Sequence, residues 1–241
     1  MFALSKWYLD CVSSEGEAFI GYSAELSWGE RRLSYVGRVN GPSSLTRESP
    51  PRLTDQAVEW ESETLGVRGA WTGSDPLPEV SLFEGAVLWQ VLRPCARVVL
   101  QGEMEGWGYA EKVRLGRIPW KLDIGQLRWG RFTSPSSWLV WVGWSGGLLV
   151  YRDGAAQTEA RLEPDGLSWP GGRLTVERGT VLRQGPLART VPVLSSLVPA
   201  ALREQKWISR GWLDGQPGWV IHEVVHFPRR RKARVAQKSG S

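Results

Sequence analysis

From end to end the chain alternates short runs of aromatic and β-branched residues with turn residues, and no long run carries a helical period. In the first half, residues 7–9, 17–28, 32–39, 58–63, 67–71, 85–92, 96–104 and 108–115 read as strands. The rhythm continues through 126–132, 138–144, 148–151, 173–177, 181–183, 206–213 and 219–227. Asp153-Gly154, Asp165-Gly166 and Asp214-Gly215 supply the positive φ angles of tight hairpin turns. A helix is expected only over 195–204, with Pro199 inside it. Strands at short spacing without interleaved helices predict an all-β chain of two consecutive antiparallel barrels or sandwiches, and argue against a parallel α/β fold.

The length, 241 residues, suits two small barrels better than one very large one. Arg117-Ile118-Pro119-Trp120 breaks one strand and a new alternating run begins at Gln126. The expected units are therefore 1–117 and 118–228, followed by a basic, core-free, disordered tail over 229–241. Five basic residues between 229 and 234 match the whole formal net charge of +5. Segments 42–51 and 74–78, rich in Pro and Ser, are expected as long loops. With two cysteines, Cys11 and Cys95, and no basic-apolar leader, a cytoplasmic location is expected rather than a secreted disulfide scaffold. The longest uncharged stretch, 133–151, is cut by Ser145-Gly146-Gly147 and reads as a hairpin rather than a membrane span.

Several chemistries lack their residues. His222 and His226 are the only histidines. At i,i+4 on a strand they lie about 13 Å apart, too far to share an ion, so no metal site is expected. No phosphate-cradling glycine loop opens a helix, and no G-x-S-x-G elbow presents a serine. No cofactor is expected.

Tryptophan is over-represented, 15 against 5 Phe and 5 Tyr. Most of these rings serve as ordinary barrel core; the remainder suit an apolar cavity wall or a cation–π surface. Among the carboxylates Glu111 stands out, in Gly106-Trp107-Gly108-Tyr109-Ala110-Glu111. Strand alternation puts Trp107, Tyr109 and Glu111 on one face. If that face is interior, desolvation raises the carboxyl toward a pKa useful for general acid catalysis. If it is exterior, Glu111 is a surface charge beside Lys112. Glu25 and Glu223 are weaker candidates, and Arg128 and Arg131, bracketing Trp129, read as solvated charges.

Three stretches resemble the carotenoid 1,2-hydratase, tocopherol cyclase and lipocalin-like Diels–Alderase family. These are residues 6–10, Lys-Trp-Tyr-Leu-Asp, with the Ser14-Glu15-Gly16 turn; residues 89–94 together with the motif around Glu111; and residues 218–223, Gly-Trp-Val-Ile-His-Glu. Residues 127–132 resemble the strand that opens a second barrel. The family's pattern has His before the acid, whereas Ala110 stands here. The resemblance implies two lipocalin-type barrels and Glu111 pointing into a cavity, with Tyr109 orienting it. Trp107, Trp28, Trp71, Trp129 and Trp144 would be the wall and Glu25 a further contact. The implied activity is a cofactor-free cyclase, hydratase or isomerase acting on an isoprenoid- or polyketide-like substrate, terpenoids included, by protonation or by templating. The alternative is a non-catalytic carrier of a hydrophobic ligand. A nucleic-acid-binding protein ranks third, because the basic residues form no sheet-face patch. The expected partner is thus a hydrophobic small molecule, with weak contact to a membrane surface and the oligomeric state left open.

Overall fold

The computed structural model describes residues 1–190, 195 and 198–228; the expected tail, 229–241, lies outside them. The described residues form two ten-stranded antiparallel sheets. The first holds β1 (Phe2–Val12), β2 (Ala18–Trp28), β3 (Arg31–Arg38), β4 (Ser43–Thr46), β5 (Arg52–Leu53), β6 (Ala57–Ser62), β7 (Val67–Thr72), β8 (Val80–Leu82), β9 (Val87–Leu100) and β10 (Met104–Leu115). Its spatial order is β4-β3-β2-β1-β10-β9-β7-β6-β5, with β8 on β9. The second holds β11 (Gln126–Thr133), β12 (Trp138–Trp144), β13 (Gly147–Arg152), β14 (Ala155–Ala156), β15 (Arg161–Glu163), β16 (Gly166–Trp169), β17 (Gly172–Val176), β18 (Thr180–Pro186), β19 (Arg203–Leu213) and β20 (Gln216–His226). Its order, β14-β13-β12-β11-β20-β19-β17-β16-β15 with β18 on β19, repeats the first strand for strand. The chain is all-β, as its turn rhythm predicts. Asp153 and Gly154, and Asp214 and Gly215, all take positive φ, the conformation of a two-residue type I′ hairpin.

Each sheet curls so that one face packs against itself. In the first, Trp7, Leu9 and Cys11 of β1 meet Phe19, Trp60, Trp71, Leu92 and Ala110 in one buried cluster. In the second, Phe132, Trp141, Trp169, Leu174 and Val220 do the same. The opposite faces of the central strands pack on each other: Tyr8, Ile20, Tyr22, Val91 and Tyr109 against Trp129, Val140, Ile208 and Ile221. The strands around β1 and β10 are therefore buried on both faces, one within a barrel and one between barrels.

Three differences from the sequence reading have local causes. The strands read at 85–92 and 96–104 are one long strand, β9 (Val87–Leu100), with turns on either side and Met104 already in β10, because Pro94 sits where the β9–β10 register shifts between Arg93↔Ala110 and Ala96↔Gly108. A bulge needs no ladder hydrogen bond from the missing N–H. The expected helix over 195–204 does not form in its described residues: 198–202 are turn and bend around Pro199, and Arg203 opens β19. Among the described residues helix is confined to a 3-10 turn, Pro119–Lys121, and to one α-helical turn, α1 (Leu187–Thr190), which precedes that segment. The segment 42–51 contains β4 as well as loop. Among the described residues no helix is long and apolar enough to cross a membrane.

Candidate functional site

A cavity of about 300 Å³ lies between the two sheets. Alternate residues of β1, Phe2, Leu4 and Lys6, form one wall, and Trp89, Glu111 and Val113 of β9 and β10 continue it. Leu127, Trp129 and Val142 close it from the second sheet, and Trp28, 46% exposed, stands at its mouth. The site is thus built on the outer face of the first barrel, against the second.

Glu111 is 7% exposed and carries the most distinctive polar geometry in the cavity. Its Oε2 accepts from Trp89 Nε1 at 2.6 Å, Tyr109 Oη at 2.6 Å and Trp129 Nε1 at 3.2 Å. Oε1 has no hydrogen-bond donor among the described residues. Burial raises the Glu111 pKa, and the donors from Tyr109 and Trp89 and the charge of Lys6 offset this only in part. Donors favour the charged form and desolvation the neutral one; here desolvation wins. Burial and the neighbouring carboxyl raise the Tyr109 phenol well above its usual value, so it remains a proton-bearing donor.

Glu223 holds the position in β20 that Glu111 holds in β10. Glu111 lies opposite Tyr8 of β1, Glu223 opposite Trp129 of β11. Their surroundings differ. Lys206, wholly buried, donates to Glu223 and lies 3.9 Å from Glu204, whose two oxygens also accept from Arg183 at 2.9 and 2.6 Å. Burial alone would raise Glu223, but Lys206 and Lys6 overrule it and leave its pKa lowered. Burial would lower Lys206, but Glu223 and its neighbours hold it charged. Two corresponding carboxyls facing one cavity are thereby pushed apart, one toward the acid form and one toward the base form, the arrangement by which acid and base roles are assigned.

The other candidate residues divide. Trp129, Trp28, Tyr109 and Glu111 gather at or around the cavity. Trp71 does not: it is fully buried inside the first barrel, with Nε1 donating to the Asp10 carbonyl at 2.6 Å. Trp107 is half-buried opposite Val12, on the face of Glu111 but beyond the cavity lining. Trp144 is half-buried and packs on Phe83, with ring centroids 5.6 Å apart, behind the lining. Glu25 is exposed, because it alternates with the inward Ala24 and Leu26. Arg131, read as solvated, is fully buried and bonded to Asp10. Lys6, Trp89, Arg183, Glu204 and Lys206 were not singled out. Trp89 and Lys6 carried a signal, their places in the 89–94 and 6–10 motifs; for the others, a lone charge in a strand looks like a surface face. No group of three or more potential metal ligands occurs among the described residues.

The sequence matches no protein-family model and none of the curated proteins with which it was compared. Solved structures do match it. CghA, in a complex with Sch210972, has a TM-score of 0.57 at 10% identity, over 95% of this chain and 90% of that one. CghA alone gives 0.56 at 10% identity, over 96% and 90%. A kievitone hydratase from Nectria haematococca gives 0.46 at 10%, over 92% and 88%. The chain shares with CghA the two-sheet lipocalin-like fold along nearly its whole length, the fold implied by the resemblance of its motifs.

Proposed function

We propose that the protein is a cofactor-free cyclase, hydratase or isomerase that works on a hydrophobic, isoprenoid- or polyketide-like substrate in the cavity between its sheets, with Glu111 as general acid. One observation carries this reading: on a carboxyl that lines an apolar cavity, Oε2 of Glu111 is held by three donors while Oε1 has no donor among the described residues. In the neutral acid the proton therefore sits on Oε1, toward the substrate. An alkene π pair takes that proton, and the neighbouring carbon is left electron-deficient. The carboxylate formed is stabilised by Trp89, Tyr109 and Trp129 without any rearrangement, as in an oxyanion hole. The aromatic walls favour the cation. Water or a hydroxyl captures the cation and releases its O–H proton. Where a second alkene captures it, the charge moves to a new carbon that then loses a neighbouring C–H proton to form an alkene. In either case the proton returns to Glu111. For a substrate with a carbonyl, the same O–H polarises by hydrogen bonding.

The cavity also suits a carrier, which would need its apolar walls but no acid. Native mass spectrometry of protein purified from its own source identifies a hydrophobic passenger. Glu111→Gln should bind that passenger or its precursor unchanged while turnover falls by roughly 10²-fold or more. Binding without turnover in the wild type selects the carrier.

A further inference from the structure

Most cations around the cavity are matched to a carboxylate. Arg183 is bonded to both oxygens of Glu204, Lys206 to Glu223, and Arg38 to Glu103. Lys6 is the exception. Its side chain lines the cavity, its Nζ stands 4.5 Å from the centroid of the Tyr22 ring, and among the described residues no carboxylate oxygen lies within 4 Å of it. An ammonium in an apolar wall, with Glu223 acting on it only from beyond contact distance, is costly, and an anion that bonds it directly is held strongly.

Its placement is as informative as its isolation. Lys6 lies opposite Val113, and Tyr8 lies opposite Glu111. Lys6 and Glu111 are therefore diagonal neighbours on one face of the β1–β10 pair, about 7–8 Å apart at the backbone. Leu4 and Phe2 continue the same wall outward from Lys6 with apolar side chains.

We propose that the ligand carries one acidic head group, a carboxylate or an enol of comparable acidity, which Lys6 receives at the inner end of the cavity while the apolar body extends toward Trp28. This rests on the reading of the cavity as a substrate site and adds the substrate's class. It also gives Lys6 a positioning role, because a head group fixed there sets which carbon of the body meets Oε1 of Glu111. Burial lowers the Lys6 pKa, opposed by Glu223 and reinforced by Lys206. A bound carboxylate reverses that balance and holds the lysine charged.

Calorimetric titration of the whole protein with decanoate and with decan-1-ol tests this, since the two probes share a chain and differ at the head. Wild type should bind decanoate roughly 10-fold or more tighter than the alcohol, the scale of one charged hydrogen bond. Lys6→Met, which keeps the length and apolar stem, should lose that preference while binding decan-1-ol as before. Lys6→Arg should retain it. Equal binding of both probes by wild type, or a preference that survives Lys6→Met, overturns the acidic-head assignment and spares the catalytic reading. If neither probe binds, the cavity does not take such chains and both readings fall.

Discussion

Asp10 and Arg131 hold corresponding positions in β1 and β11, and they are bonded to each other across the interface between the sheets. Asp10 lies between Ile20 and Tyr109, Arg131 between Val140 and Ile221, in matching registers. Arg131 Nη2 reaches Asp10 Oδ1 at 2.5 Å and its Nε reaches Oδ2 at 3.1 Å, with both side chains fully buried. Equivalent positions of a repeated unit touch where the operation relating the two copies brings them together, so the two halves meet here through corresponding residues. Tyr8 and Trp129, the next corresponding pair, are also in contact, 4.8 Å between ring centroids.

Breaking that pair should be costly, and replacing it should not be. Arg131→Met leaves Asp10 buried without a partner and should destabilise the fold by about 3–5 kcal/mol in urea unfolding. Adding Asp10→Leu should recover most of the loss. A double variant as unstable as the single one would mean the pair is needed for its shape rather than its charge balance.

Glu111 should make stability fall with rising pH. In the unfolded chain it titrates near its ordinary value of about 4.5, and in the folded protein its pKa is higher. Between the two, the folded state keeps a proton that the unfolded state has released, so stability is lost as pH rises through that window and stays lower above it. Glu111→Gln removes this contribution. Its melting temperature should equal that of wild type in acid and exceed it at neutral pH, and a difference independent of pH would contradict the assignment.

His222 acts in the opposite direction. Its ring stacks on Trp207, with centroids 5.0 Å apart, and its Nε2 meets Ser209 Oγ at 3.1 Å. Burial, with the charge of Lys206, pushes its pKa down to about 4. Stability from the neutral ring is complete above the unfolded pKa near 6.5 and drains away as pH falls toward 4. His222→Gln should flatten the acid limb of the stability curve over that range; an unchanged limb would place the acid sensitivity elsewhere.

Substitutions around the cavity should separate catalysis from structure. Tyr109→Phe removes a 2.6 Å donor from the carboxylate that forms when Glu111 gives up its proton. Turnover should fall roughly 10- to 100-fold with little change in ligand affinity. Trp71→Phe should cost about 1–3 kcal/mol of stability, because it leaves the buried Asp10 carbonyl without its indole donor, and leave turnover intact. Glu25→Gln, on the solvent face, should alter neither. Loss of turnover in Glu25→Gln would displace Glu111 from its role.

Strand positions were legible where aromatic and β-branched residues recur through a long segment, as in β2, β12 and β20. The two- to four-residue strands β4, β5, β8 and β14 to β16 carry too few residues to show a period. Alternation also showed that Tyr109 and Glu111 share a face. It could not show where that face points, because β1 is apolar on both sides: Trp7, Leu9 and Cys11 turn into the barrel, Tyr8 and Val12 toward the other sheet. The resemblance of the motifs implies a cavity that Glu111 enters within the lipocalin-type barrels. The structure places it between barrels, so Trp71, which alternation cannot tell from Trp129, belongs to the core instead. Lys206 and Arg131 were illegible for a related reason, since their partners Glu223 and Asp10 are distant in sequence or on another sheet.

The protonation state of Glu111 is the point on which the acid mechanism depends, and infrared difference spectroscopy reads it directly. A spectrum of wild type minus Glu111→Gln, followed from acid upward, should contain the carbonyl stretch of a protonated carboxylic acid, and that band should persist above the pH at which an ordinary glutamate ionises. A band lost at or below the ordinary glutamate value would show that the folded protein does not hold this proton, and the acid assignment would fail.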